Sequence, residues 1–152
     1  MNLRETFIKD DLQTVNAKNQ SYGIYMHDHL LFSQQKGEAE DMIKKLSSSG
    51  IFFKENVISN ACKFLNLLRN DCGITLKRQD ISYTTYGNIV VDLNTPKGLI
   101  SIEIGSEHLG FFTEYKTGVN YASDGIKTDF NSIPEYLYNT IIDAIKYDKA
   151  VG

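Results

Sequence analysis

Three short runs joined by tight turns constrain this chain more than anything else in it. They are Asn88-Ile-Val-Val-Asp-Leu93, Gly98-Leu-Ile-Ser-Ile-Glu-Ile104 and His108-Leu-Gly-Phe-Phe-Thr-Glu-Tyr115, within a span from Tyr83 to Phe130 that reads as one antiparallel meander. Apolar residues alternate along each run, which is the period of a strand with two different faces. Ile89, Val91 and Leu93 share one face with Ile100, Ile102 and Ile104, and Leu109, Phe111 and Tyr115 continue it. Thr95-Pro-Lys-Gly98 and Gly105-Ser-Glu-His108 supply the turns, Pro presetting φ and Gly permitting positive values. Val119 to Ala122 reads as a fourth strand, and Asp124-Gly125 as a turn before Ile126 to Phe130.

Helices flank this sheet. Glu55 to Asn70 carries Val57, Ala61, Phe64, Leu65 and Leu68 on one stripe, and Gly73 is placed to close it. Ser132-Ile-Pro-Glu135 has the form of a capping box. Leu137, Ile141, Ala144 and Ile145 then form the buried stripe of a last helix, flanked by Tyr138 and Ile142. The expected class is α+β: an antiparallel meander of four or five strands packed against two or more helices, both terminal-half helices lying on the aliphatic face. At 152 residues the chain suits one domain, with a helix–meander–helix core over residues 51–152.

Residues 1–50 form a less regular segment expected to pack on that core. Asn2 to Ala17 has apolar residues for a short helix at irregular spacing. Ser21 to Ser33 is rich enough in aromatic and branched residues for a strand, with a helix as the alternative. Glu38 to Leu46 reads as a short helix ended by Ser47-Ser-Ser-Gly50.

Composition narrows the function classes. A net charge of -3 lacks the basic surface a general nucleic-acid binder uses to displace counterions. Residues 101–152 carry eight Asp or Glu against four Lys, a balance that favours a basic partner. No run approaches a membrane span, and Asp10-Asp11 stands where a secretory leader would be apolar, so a cytoplasmic protein is expected. Cys62 and Cys72 are the only cysteines. On one helix their α-carbons stand about 15 Å apart, too far for a disulfide, so both are expected to be free thiols.

Chemistry-bearing patterns are sparse. His27 and His29 would share a face on a strand, a spacing that suits a metal, but a third ligand must come from elsewhere. Glu114-Tyr-Lys116 at a strand end resembles the E-x-K step of metal-dependent nucleases, and the order helix, three strands, helix is similar to that family's core. The departure is that Leu99 pairs with Glu114 where a second carboxylate is wanted. No G-x-S-x-G elbow and no phosphate-binding glycine loop occurs. Nine Tyr and eight Phe are not accompanied by clustered Arg or Lys, which favours packing over base stacking.

The second face of the sheet is the remaining candidate. Tight turns would pair Asp92 with Leu99, Leu99 with Glu114, Ser101 with Phe112 and Glu103 with Gly110. That face then carries Val90, Leu99 and Phe112 among Asp92, Glu103 and Glu114. It is too apolar for an indifferent solvent face and too acidic for a second core, as a partner surface is. Two outcomes stay open for it: burial beneath the N-terminal 50 residues, or exposure as a docking face.

Tyr86-Gly-Asn-Ile-Val-Val-Asp92, Ser101-Ile-Glu-Ile-Gly105 and Gly110-Phe-Phe112 resemble the sheet core of small bacterial proteins with no established activity. The resemblance covers about a third of the chain and implies a bacterial or phage setting, without a mechanism. The expected role is a non-catalytic protein-binding or accessory module, adaptor- or immunity-like. It would dock a basic protein, or a second copy of itself, through the second face or an edge of the sheet, using Val90, Asp92, Leu99, Glu103, Phe112 and Glu114. No cofactor, metal ligand or catalytic residue is assigned. The competing class is a metal-dependent nuclease or other hydrolase working through the sheet carboxylates.

Overall fold

The computed structural model describes residues 27–147. Among the described residues, three helices and a five-stranded antiparallel sheet make an α+β fold. The elements run α1 (His27–Ser47), α2 (Val57–Cys72), a 3₁₀ turn (Arg78–Asp80), β1 (Ile81–Tyr83), β2 (Ile89–Thr95), β3 (Gly98–Ile104), β4 (His108–Tyr115), β5 (Ala122–Lys127) and α3 (Glu135–Ile145). The strands lie in sequence order, β1-β2-β3-β4-β5.

One face of the sheet is the core. Every aliphatic residue expected there from β2 and β3 is buried, together with Leu109, Phe111 and Tyr115 of β4. Against them α2 lays Val57, Ala61, Phe64, Leu65 and Leu68, and α3 adds Leu137, Ile141 and Ala144. Asn60, buried in α2, donates from Nδ2 to the Gly105 and Ser106 carbonyls at 2.9 Å each, fixing the helix to the β3–β4 turn. Gly73 closes α2 at φ 71, its N–H reaching the Arg69 carbonyl at 3.1 Å while the Ile74 N–H reaches Leu68 at 3.0 Å.

Four expectations need correction. The strand expected over Ser21–Ser33 is helical from His27 onward, and α1 continues through the expected Glu38–Leu46 helix to Ser47. Residues 21–26 and the Asn2–Ala17 helix lie outside the described residues. Ala39, Met42, Ile43 and Leu46 repeat at 3- and 4-residue intervals, so α1 buries a continuous stripe on α2, the 3₁₀ turn and β1. The strand on which His27 and His29 were expected to share a face is not formed there. The helix does end at the serine–glycine break: Ser47 and Ser48 Oγ donate back to the Lys44 carbonyl at 2.7 and 3.0 Å.

The turn between β2 and β3 falls at Thr95–Gly98 as expected, but the register across it differs by two residues. Thr95 pairs with Gly98 across a two-residue loop, Pro96-Lys97, so Asp92 faces Ser101 and Leu99 faces Asn94. The Thr95 hydroxyl enforces this, accepting from the Lys97 and Gly98 N–H groups and donating to the Gly98 carbonyl at 2.7 Å. Between β3 and β4 the expected pairs hold: Leu99 with Glu114, Ser101 with Phe112, Glu103 with Gly110.

The last strand lies later than Val119–Ala122. Asp124-Gly125 does not end it but forms a bulge inside it, two residues opposite Gly110, with Ser123 facing Phe111 and Ile126 facing Leu109. The capping box at Ser132 does not form either. α3 begins at Glu135, with Pro134 as its N-cap at ψ 139 and no side-chain cap bond. Proline disfavours helical backbone at the residue before it, so Ile133 is driven out of the first turn the box would need. It is buried in the core instead.

Candidate functional site

With α1, α2 and α3 all contributing to the core on the aliphatic side, the opposite face holds a groove of about 710 Å³. Its described lining runs across all five strands, from Ser82 on β1 to Ala122 and Asp124 on β5, with the Thr84–Tyr86 loop forming one wall. The register arranges the face in rows. Ser82, Val90, Glu103 and Gly110 form one row, which ends at Asp124 through the bulge; Asp92, Ser101, Phe112 and Ala122 form the next; Asn94, Leu99 and Glu114 form a third.

Five of the six residues expected to mark this face line the groove. Val90 and Leu99 are half-buried and Phe112 is 44% exposed, large for an aromatic residue in the middle of a strand. Asp92 is buried to 7% exposure, and the Ser101 hydroxyl donates to its Oδ1 at 2.7 Å. Glu103 is half-buried. Glu114, opposite Leu99, is exposed beyond the groove's lining.

The corrected register separates the carboxylates. Asp92, Glu103 and Glu114 occupy three different rows, each two residues along the strand from the next. Among the described residues no group of three His, Cys, Asp or Glu side chains lies close enough to hold a metal ion. The convergence of Asp92, Glu103, Glu114 and Lys116 that a nuclease reading requires is not formed.

Sequence reading missed a second layer of polar groups at the β1 end of the groove. Asn88 Nδ2 and the Tyr86 hydroxyl both donate to Glu103 Oε2, at 2.7 and 2.8 Å. Asn88 also donates its backbone N–H to the Thr84 hydroxyl at 2.9 Å, which closes the Thr84–Asn88 turn. The hydrogen bond to Glu103, partial burial and the charges of Glu103 and Asp124 all push the Tyr86 phenol above its ordinary value. Lys54 Nζ sits over the Tyr86 ring, 5.1 Å from its centroid. Asp124 reaches the face because the bulge redirects it: its Oδ1 stands 2.6 Å from where a Cβ at residue 110 would be, so a side chain there would push the Asp124 carboxylate aside. The sequence reading placed no turn at Thr84–Asn88, and read Asp124-Gly125 as a turn and not as a bulge.

No family model, curated protein or solved structure matches this chain. The groove's own chemistry is therefore the basis for any functional reading. It offers half-buried aliphatic residues, an exposed aromatic ring and carboxylates whose remaining lone pairs accept hydrogen bonds. Among the described residues no helix is long and apolar enough to cross a membrane.

Proposed function

We propose that this protein is a non-catalytic binding module that docks a basic segment of another protein into the groove on the sheet's second face. The observation that carries the reading is Phe112. It stands 44% exposed at the centre of an apolar and acidic groove, while the equivalent positions on the other face are fully packed. Apolar anchors within a polar rim are the anatomy of a protein interface.

Charge selects the partner. Asp92, Glu103 and Asp124 line the groove and Glu114 lies beside it, against Lys54 at the rim. Two copies meeting through this face would oppose acidic surfaces, so a basic heterologous partner fits better than self-association. The sheet edges are poorer docking sites. β1 has only three residues, and β5 is interrupted by its bulge, both devices that blunt strand pairing.

The test is selection of peptides from a random displayed library on the full chain, followed by affinity measurement on the wild type and on Phe112→Ala. Enriched peptides should combine Lys or Arg with apolar residues, and Phe112→Ala should weaken them about tenfold or more, as loss of an interface anchor does. Thermal unfolding of that variant should stay near wild type, whereas Ile102→Ala, fully buried on the other face, should cost about 2–5 kcal/mol. Peptides without basic residues, or equal affinity for Phe112→Ala, would overturn the reading. A large loss of stability in Phe112→Ala would do the same, by placing that ring in a core.

A further inference from the structure

The row that ends at Asp124 contains a gap. Gly110 has no side chain, and on either side of it stand Glu103, its partner on β3, and Asp124, carried over it by the β5 bulge. A small cavity of about 270 Å³ opens here, lined among others by Asn88, Glu103, Gly110 and Asp124.

Three features of this notch share one chemistry. Glu103 is committed through Oε2 to Tyr86 and Asn88, and Asp124 through Oδ1 to the Gly125 N–H at 2.9 Å, so each carboxylate keeps a second oxygen toward which no described donor is directed. Among the described residues no cation forms an ion pair with either carboxylate. Asn88, only 8% exposed, lines the same cavity, and its Oδ1 has no hydrogen-bond partner. Native proteins satisfy such buried acceptors almost always, so this one, in a residue that lines the cavity, is short of a donor. The notch presents these acceptors, and neither Lys54 nor His108, which also line the cavity, forms an ion pair with them.

We propose that the notch over Gly110 is an arginine subsite, in which a guanidinium carried by the partner protein seats between Glu103 and Asp124. The inference rests on the reading of the groove as the docking face for a basic partner and names the side chain that anchors it. A guanidinium suits the site better than an ammonium because its planar fork directs donors to both sides of the slot at once, toward two carboxylates across one glycine. Charge-assisted hydrogen bonds of this kind are stronger than neutral ones and fix orientation. Lys54 and His108 line the same cavity, both exposed, and the Tyr86 ring already carries the Lys54 ammonium on its face.

Amide NMR titration of the full chain with Nα-acetyl-arginine methylamide tests this, with the lysine, citrulline and leucine methylamides as comparators. The arginine probe should shift the amides of Glu103, Gly110, Asp124 and Gly125 saturably, at millimolar concentration. Citrulline keeps the shape without the charge and should bind about fivefold more weakly or worse, and lysine should fall below arginine. Glu103→Gln and Asp124→Asn should each reduce arginine affinity several-fold, with the rest of each spectrum reporting that the fold is kept. Equal binding of citrulline or of lysine, or unchanged affinity in both variants, would overturn the subsite. If leucine shifts Leu99 and Phe112 while arginine leaves Glu103 and Asp124 unmoved, the subsite falls and the docking groove stands. If no probe shifts any groove residue, the subsite falls, and the peptide selection decides the groove separately.

Discussion

Ser101 and Asp92 face each other across β3 and β2, and the Ser101 hydroxyl donates a 2.7 Å hydrogen bond to Asp92 Oδ1 where both residues are more than nine-tenths buried. A buried carboxylate on an otherwise open face needs such donors, because water is largely kept from it by the surrounding side chains. Ser101→Ala should lower stability by about 1.5–3 kcal/mol in urea denaturation, the worth of one hydrogen bond to a charged acceptor. Replacing both together, Asp92→Leu with Ser101→Ala, should cost less than the sum of the single changes. Additive losses would show that the two side chains do not act as a pair.

Gly98 ends the β2–β3 turn near this pair and lies close against β4. At φ +142, a Cβ there would lie 2.3 Å from the Glu114 carbonyl oxygen and 2.8 Å from the Tyr115 Cα, both backbone atoms that no rotamer change can move. Gly73 also has positive φ, but nothing lies within 4 Å of its would-be Cβ. Gly73→Ala should therefore cost only the left-handed backbone penalty, about 1–2 kcal/mol. Gly98→Ala should exceed that clearly in the same thermal or urea measurement. Equal losses would mean that β4 moves aside at Glu114 and Tyr115 without effort.

The difference between what was legible and what was not follows range. The aliphatic face of β2, β3 and β4 was readable because alternation is local, and the α2 stripe because its period is local too. The β2–β3 register was not: it depends on whether Pro96-Lys97 or a longer loop closes the hairpin, and the Thr95 hydroxyl decides it. A shift of two residues keeps every side chain on its face, so the alternation carries no trace of the error. Ile81-Ser-Tyr83 is too short to announce a strand and becomes one by pairing with β2. Asp124-Gly125 reads as a turn by composition, yet opposite Gly110 it is a bulge that delivers a carboxylate to the groove. Val90, Asp92, Leu99, Glu103 and Phe112 were therefore found on the groove from the sequence, and Asp124 and the Tyr86–Asn88 clasp on Glu103 were not.

Cys72, half-buried at the end of α2 beside Asp71, has its thiol pushed up to about 11, burial being the larger cause and the Asp71 charge the smaller. The folded protein holds this proton more tightly than the unfolded chain does. The resulting stabilisation is complete below pH 9, the unperturbed value, and is lost as pH rises towards about 11. At pH 8 Cys72 should alkylate with iodoacetamide more slowly than a free cysteine, because the thiolate is the nucleophile. Peptide-level mass spectrometry reads this residue separately from Cys62. Labelling at the free-cysteine rate at pH 8 would contradict the buried environment.

Tyr86 should report the state of the Glu103 clasp directly. Its hydroxyl donates to Glu103 Oε2, and that bond exists only while the phenol keeps its proton, so the carboxylate holds the Tyr86 pKa above the ordinary value of 10.0. By linkage, the stabilisation this bond gives is fully present at neutral pH and disappears as pH climbs past 10 through the raised value. Glu103→Gln keeps an acceptor oxygen but removes the charge, and should bring the Tyr86 pKa back toward 10.0, read from ring resonances in an NMR pH titration. Asp124→Asn should lower it too, by less, since Asp124 acts on the phenol through charge alone. The same variants that weaken the arginine probe should thus move one tyrosine out of nine. If Glu103→Gln leaves the Tyr86 titration where it was, the phenol does not rest on Glu103 in solution, and the wall it forms on the groove is held some other way.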